Sequence, residues 1–161
     1  MISSVLFVCT GNICRSPTAE GVLRSRLAAA GLDGRVAVDS AGTHGYHIDE
    51  PPDSRAIRMA ARRGYDLQHQ RARKIGPADY QGFDMILAMD RGHLSALRRL
   101  CPPAYEPRLR LFLDAAPAGA GCRGLDVPDP YYGGPQDFEL MLDMIETGVE
   151  GLMAELLDRQ R

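Results

Sequence analysis

Residues 5–20 read Val5-Leu6-Phe7-Val8-Cys9-Thr10-Gly11-Asn12-Ile13-Cys14-Arg15-Ser16-Pro17-Thr18-Ala19-Glu20. An apolar run breaks into a glycine-containing turn, and the turn runs straight into a helix start. Ser16 is a good N-cap, and Pro17 suits the first helical position, where its missing N–H and fixed φ cost nothing. A buried strand thus feeds a tight loop that feeds a helix, so loop N–H groups and the positive end of the helix dipole converge on one point. That point should bind a dianion. Cys9 opens the loop and Arg15 closes it. A helix N-terminus and a neighbouring guanidinium both favour thiolate over thiol, which would make the Cys9 sulfur a nucleophile at neutral pH. Arg15 presents a planar fork matched to two oxygens of a phosphoryl group. Cys-x5-Arg followed by Ser is a complete phosphoryl-transfer cradle, and Gly11, Ser16 and Pro17 fall where that cradle needs them.

Working outward, residues 4–8 form a short all-apolar strand of the kind covered on both faces of a parallel sheet. The spacing of Ala19, Val22, Leu23 and Leu27 predicts a helix from Ser16 to about Ala30, stopped by Gly31. A second strand is expected over Arg35–Ser40, and strand, helix, strand at this spacing implies a right-handed crossover onto a parallel sheet. Asp39-Ser40-Ala41-Gly42-Thr43 would then leave the sheet at the same carboxyl end as the Cys9 loop, where open α/β sheets bind ligands. A helix over Pro52–Ala61, a third strand over Phe83–Met89 and a shorter fourth over Leu109–Leu113 follow. Residues 114–134 are rich in glycine and proline and read as a long loop, and loops of that length in compact domains are usually functional or disordered. A closing helix from about Gln136 to Leu157 carries Phe138, Leu142, Ile145, Val149, Leu152 and Leu156 three or four apart, a core stripe.

The length of 161 residues suits one domain, large enough to bury a core without metals or disulfide staples. A formal charge of −2 gives no reason to expect nucleic acid or an anionic membrane as partner. No charged-then-apolar leader and no run of eighteen apolar residues is visible, so a cytoplasmic protein without a membrane span is expected. Cys9, Cys14, Cys101 and Cys122 show no C-x-x-C pair and no histidines at zinc-ligand spacing, which fits a reducing compartment, with no metal and no cofactor.

The run Val-Cys-Thr-Gly-Asn-Ile-Cys-Arg-Ser-Pro resembles the signature loop of the low-molecular-weight protein tyrosine phosphatases, bacterial branch, and Asp129-Pro130-Tyr131-Tyr132-Gly133 looks like that family's general-acid loop. The resemblance implies a four-stranded parallel twisted sheet of order 2-1-3-4 with helices on both faces, a Rossmann-like phosphotyrosine phosphatase I fold. It implies hydrolysis of phosphotyrosine and small aryl phosphates through a phosphocysteine on Cys9. The phosphoryl oxygens would sit in the N–H groups of Thr10, Gly11, Asn12, Ile13, Cys14 and Arg15. A proton donor must approach from the opposite face, and spacing alone leaves Asp126 and Asp129 nearly even; the resemblance favours Asp129. Tyr131 and Tyr132 would wall a slot deep enough for a phenyl ring, with Tyr46 on the opposite wall and His47 tuning substrate choice. Asn12, Ser16, Ser40 and His69 match the family's supporting hydrogen-bond network, and Asn tolerates the left-handed backbone such a loop requires. Cys14 either packs under the loop or, at the roughly 5.5 Å between Cα atoms that a disulfide prefers, protects Cys9 from over-oxidation. The resemblance tilts toward redox protection. The implied partners are phosphotyrosine proteins, with a bacterial tyrosine kinase as the opposing enzyme.

Two other functions use part of this pattern. An arsenate reductase has a similar loop but passes oxidation to a later pair of close cysteines, whereas Cys101 and Cys122 are twenty-one residues apart. A non-catalytic phosphate-binding module would need neither Cys9 nor Asp129.

Overall fold

In the computed structural model, which describes all of residues 1–161, four strands make one parallel sheet of order β2-β1-β3-β4. The elements that place the site are β1 (Ser4–Cys9), α1 (Arg15–Ala29), β2 (Ala37–Gly42), α2 (Ser54–Arg62), α3 (Pro77–Gly82), β3 (Met85–Ala88), α4 (Arg91–Leu100), β4 (Leu109–Leu111) and α5 (Pro135–Arg159). Side chains alternate across a strand, so Val5, Phe7 and Cys9 of β1 face one core with α1, α2 and α5, while Leu6 and Val8 face a second with α3 and α4. This is why β1 reads as unbroken apolar sequence. The expected stripe of α5, from Phe138 to Leu156, is wholly buried in the first core, and each such side chain contributes about 1.5–3 kcal/mol.

Several boundaries differ from the sequence reading, for identifiable reasons. β2 runs two residues later than expected because its register with β1 pairs Ser4 with Ala37 and Cys9 with Gly42. Gly42 must be glycine there, since a Cβ would lie 2.6 Å from the Thr10 carbonyl oxygen. β3 and β4 are shorter than expected; Phe112–Ala115 winds into a 3-10 turn instead of extending β4. α2 begins at Ser54, with the Asp53 carboxylate accepting the Arg55 N–H at 2.8 Å. Ser16 is not the N-cap of α1: the helix starts at Arg15 behind Cys14, and the Ser16 hydroxyl is used in the loop. Two helices went unread. α3 is only six residues long, and Asp90, whose carboxylate accepts the His93 N–H at 2.9 Å, starts α4.

No helix is long and apolar enough to cross a membrane.

Candidate active site

β1 ends at the carboxyl edge of the sheet, and the chain from Thr10 to Cys14 curls over that edge before α1 begins. The curl is fixed by one residue in left-handed backbone, Asn12, at φ 58°. Its buried amide is fully used. Nδ2 donates to the hydroxyls of Ser16 and Ser40, both at 2.9 Å, and Oδ1 accepts the Arg73 N–H at 3.0 Å. Ser40 in turn donates to Glu20 at 2.8 Å. Burial raises the Glu20 pKa above the usual range, against the opposing pull of Ser40 and Arg24. Ser16 stands 3.0 Å from the Cys9 sulfur, so one network joins the loop's apex to its first residue.

Arg15 is buried, and its surroundings come from far along the chain. Nη1 donates to Asp90 at 2.8 Å and to the Val127 carbonyl at 3.0 Å. Nη2 lies 3.4 Å from His93 Nε2 and 3.7 Å from Asp129 Oδ2. Burial alone would raise the Asp90 pKa, but the His93 N–H, the His93 ring and the Arg15 guanidinium outweigh it and hold the carboxyl below its ordinary range. His93 behaves in the opposite sense to an exposed histidine: burial first, then the Arg15 charge, lower its pKa to about 4. Arg15 can only donate, so Nε2 carries the lone pair, which the Thr10 hydroxyl also reaches at 2.8 Å. The ring proton therefore sits on Nδ1, which is 3.2 Å from Asp90 Oδ1 but off the hydrogen-bonding line.

Above this floor is a pocket of about 300 Å³. Cys9, Thr10, Gly11, Ile13, Cys14 and Arg15 form its base, and Asp129, Tyr131, Tyr132, Tyr46 and His47 its walls. A cysteine sulfur, a buried guanidinium and a carboxylate thus face one small volume. The family model described as low molecular weight phosphotyrosine protein phosphatase matches residues 4–161. The chain belongs to that family. A low molecular weight protein-tyrosine-phosphatase of Streptomyces coelicolor is 47% identical over 160 residues, covering 99% of this chain and 96% of the relative. The crystal structure of YfkJ from Bacillus subtilis superposes with a TM-score of 0.89 at 36% identity, over 100% of this chain and 98% of that one. A protein tyrosine phosphatase from Entamoeba histolytica, with Hepes in its active site, gives a TM-score of 0.92 at 34% identity over 99% of both chains.

In this phosphatase the two aspartates left open by spacing occupy different places. Asp129 lines the pocket, its Oδ1 accepting the Tyr131 N–H at 3.1 Å, whereas Asp126 is turned outward onto Arg91 at 2.9 Å. The loop that carries Asp129 is pinned at both ends. Val127 N–H bonds the Met89 carbonyl at 2.9 Å, and Arg55 donates to the Tyr131 carbonyl at 3.0 Å while its guanidinium lies over the Tyr131 and Phe138 rings. Tyr131 and Tyr132 meet edge to face at 4.9 Å; across the pocket Tyr46 stacks on His44, and His47 pairs with Glu50 at 2.8 Å. Burial, then the charges of Asp53 and Cys9, raise the Cys14 pKa and keep it a thiol.

One expected support is corrected. His69 is exposed and touches no part of the loop network; its neighbour Gln70 is the buried one, donating to the Pro17 carbonyl at 2.9 Å. The two residues lie in irregular chain, where no periodicity says which faces inward. Glu20, Arg73, Asp90, His93 and Arg55 were not foreseen. Asp90 alone carried a local signal, as an N-cap before the apolar spacing of Leu94 and Leu97. Cys101 and Cys122 pack on opposite faces of the sheet, so they form no thiol relay with each other.

Proposed function

We propose that this protein tyrosine phosphatase works through a phosphocysteine on Cys9, with Asp129 as acid and then base, and that residues 1–161 act as a single phosphatase domain. The observation that carries the reading is that the Cys9 sulfur and the Arg15 guanidinium, at the two ends of one loop, line the same pocket, with Asp129 3.7 Å from Arg15. Nη1 of Arg15 is committed to Asp90 and Val127, which leaves the Nε–Nη2 edge for two phosphoryl oxygens. The N–H groups of residues 10–15 would take the remaining charge. Such preorganised donors supply most of the catalysis in phosphoryl transfer.

In the first step the Cys9 thiolate attacks phosphorus in line, the S–P bond forms, the P–O bond to the phenol breaks, and the Asp129 carboxyl gives its proton to the leaving oxygen. In the second step the Asp129 carboxylate takes a proton from water as that water's oxygen attacks phosphorus; the S–P bond breaks and the sulfur leaves as thiolate. The Ser16 hydroxyl, 3.0 Å from the sulfur, would stabilise that anion both before attack and on departure. The tyrosines around the pocket favour an aromatic phosphate over the shorter phosphoserine.

Hydrolysis of p-nitrophenyl phosphate tests the reading: Cys9→Ser should abolish turnover, and rapid quench of the wild type should trap phosphate on Cys9. Retained turnover in Cys9→Ser would overturn it. We further infer that the cellular substrates are phosphotyrosine proteins made by a bacterial tyrosine kinase in the cytoplasm, which a Cys9→Ser substrate-trapping pull-down would test.

A further inference from the structure

The cleft does not end at the phosphate pocket. Past Tyr131 and His47 it crosses a saddle walled by Arg55 and Arg58. It then opens into a second depression of about 210 Å³ between α2 and the start of α5, bounded by Arg55, Arg58, Arg62 and Phe138. The three arginines stand at i, i+3 and i+7 of α2, so they share one helix face. Arg55 is paired with Asp53 and held over the Tyr131 and Phe138 rings. Arg58 and Arg62 are exposed and have no carboxylate partner, whereas Arg63, just past the end of α2, is gripped by Glu139, Asp143 and Glu146 of α5.

The acids lining the saddle are Asp53, paired with Arg55, and Glu50, hydrogen-bonded to the His47 ring. Against these two carboxylates stand Arg55, Arg58 and Arg62, so the charge along this groove is net positive. It is a local feature, because the chain as a whole carries −2. The groove also begins at the mouth of the pocket, so whatever occupies it is covalently continuous with, or adjacent to, the group in the pocket.

We propose that this groove receives acidic residues flanking the phosphotyrosine of a protein substrate, and that Arg58 and Arg62 select such substrates. The proposal deepens the phosphatase reading and rests on it. The phosphotyrosine ring would enter between Tyr131 and Tyr46 while the adjoining backbone crosses the saddle, bringing Asp or Glu side chains over the two free guanidiniums. Exposed pairs of this kind are worth about 1.5- to 5-fold each in affinity. They fade as salt shortens the Debye length.

The test compares phosphotyrosine peptides whose flanking residues are acidic, neutral or basic, with p-nitrophenyl phosphate as a substrate too small to reach the groove. Wild type should show a KM for the acidic peptide lower by about 2- to 25-fold than for the neutral one, a gap that shrinks at high salt. Arg58→Ala/Arg62→Ala should erase the gap and Arg58→Glu/Arg62→Glu should turn it toward the basic peptide. Both variants should keep wild-type kcat/KM on p-nitrophenyl phosphate, which also shows that they fold. Normal hydrolysis of p-nitrophenyl phosphate with no preference for flanking charge, or a preference that survives the double substitution, overturns the groove alone. A wild-type protein that hydrolyses none of these substrates overturns the phosphatase reading and the groove with it.

Discussion

Asn12 is the residue on which the loop's shape depends, and two substitutions separate its two contributions. Asn12→Ala removes an amide that makes three hydrogen bonds, at 2.9, 2.9 and 3.0 Å, to Ser16, Ser40 and the Arg73 N–H. The two hydroxyls lose a donor, with Ser40 keeping its own bond to Glu20, but the part-buried Arg73 N–H loses its acceptor, so the network should cost about 3 kcal/mol. Alanine must also adopt the φ of 58° that asparagine tolerates, a further penalty of about 1 kcal/mol. Asn12→Gly removes the same hydrogen bonds and accepts that φ freely. Urea denaturation should therefore show both variants destabilised, with glycine about 1 kcal/mol less so than alanine. Activity should separate differently: both lose the fixed curl, and kcat/KM on p-nitrophenyl phosphate should fall by about 100-fold in each, the usual cost of a small misplacement of reacting groups. An alanine variant as stable as the glycine variant, with both retaining wild-type kcat/KM, would refute the claim that this amide and this backbone angle build the phosphate cradle.

Asp129→Ala should lower kcat on aryl phosphates by about 10²- to 10⁴-fold, while Asp126→Ala, which removes a carboxylate turned to Arg91, should leave kcat nearly unchanged; steady-state kinetics of the pair checks which aspartate serves. His93 folds neutral with a pKa of about 4, below the 6.5 of a free imidazole, so between those values the unfolded chain binds the extra proton. Wild type should accordingly lose about 3 kcal/mol as pH falls from 6.5 to 4, and His93→Gln should show a flatter profile across that window in urea midpoints. Peroxide should oxidise the Cys9 sulfur to a sulfenic acid that condenses with the Cys14 thiol, forming a disulfide and releasing water. Activity recovered by dithiothreitol in wild type but not in Cys14→Ser would bear this out, and equal recovery would leave Cys14 a packing residue.

What the sequence made legible was local. The strand, turn and helix around Cys9 announce themselves because an apolar run, a glycine turn and Pro17 lie within a few positions of one another, and the buried stripe of α5 repeats over many turns. The order of the four strands came only through the family likeness. Features set by distant partners were shifted or missed. β2 is placed by its register against β1, so its ends moved by two residues. Ser16 has the chemistry of a cap, but Asn12 and Cys9 claim its hydroxyl. Arg15 lines the pocket beside Cys9 as its place in the loop suggests, yet Asp90, His93 and Val127, which hold it, lie 75 to 112 positions away, and nothing in one sequence ties such positions together. Gln70 was mistaken for its neighbour His69 for want of any pattern in the segment that carries them.

The most direct test is a structure of the protein with orthovanadate. The account predicts vanadium bonded to the Cys9 sulfur, two equatorial oxygens on the Nε–Nη2 edge of Arg15, and the Asp129 carboxyl on the apical oxygen opposite the sulfur. Vanadate bound away from Cys9, or held at the sulfur with Arg15 turned elsewhere, would contradict it.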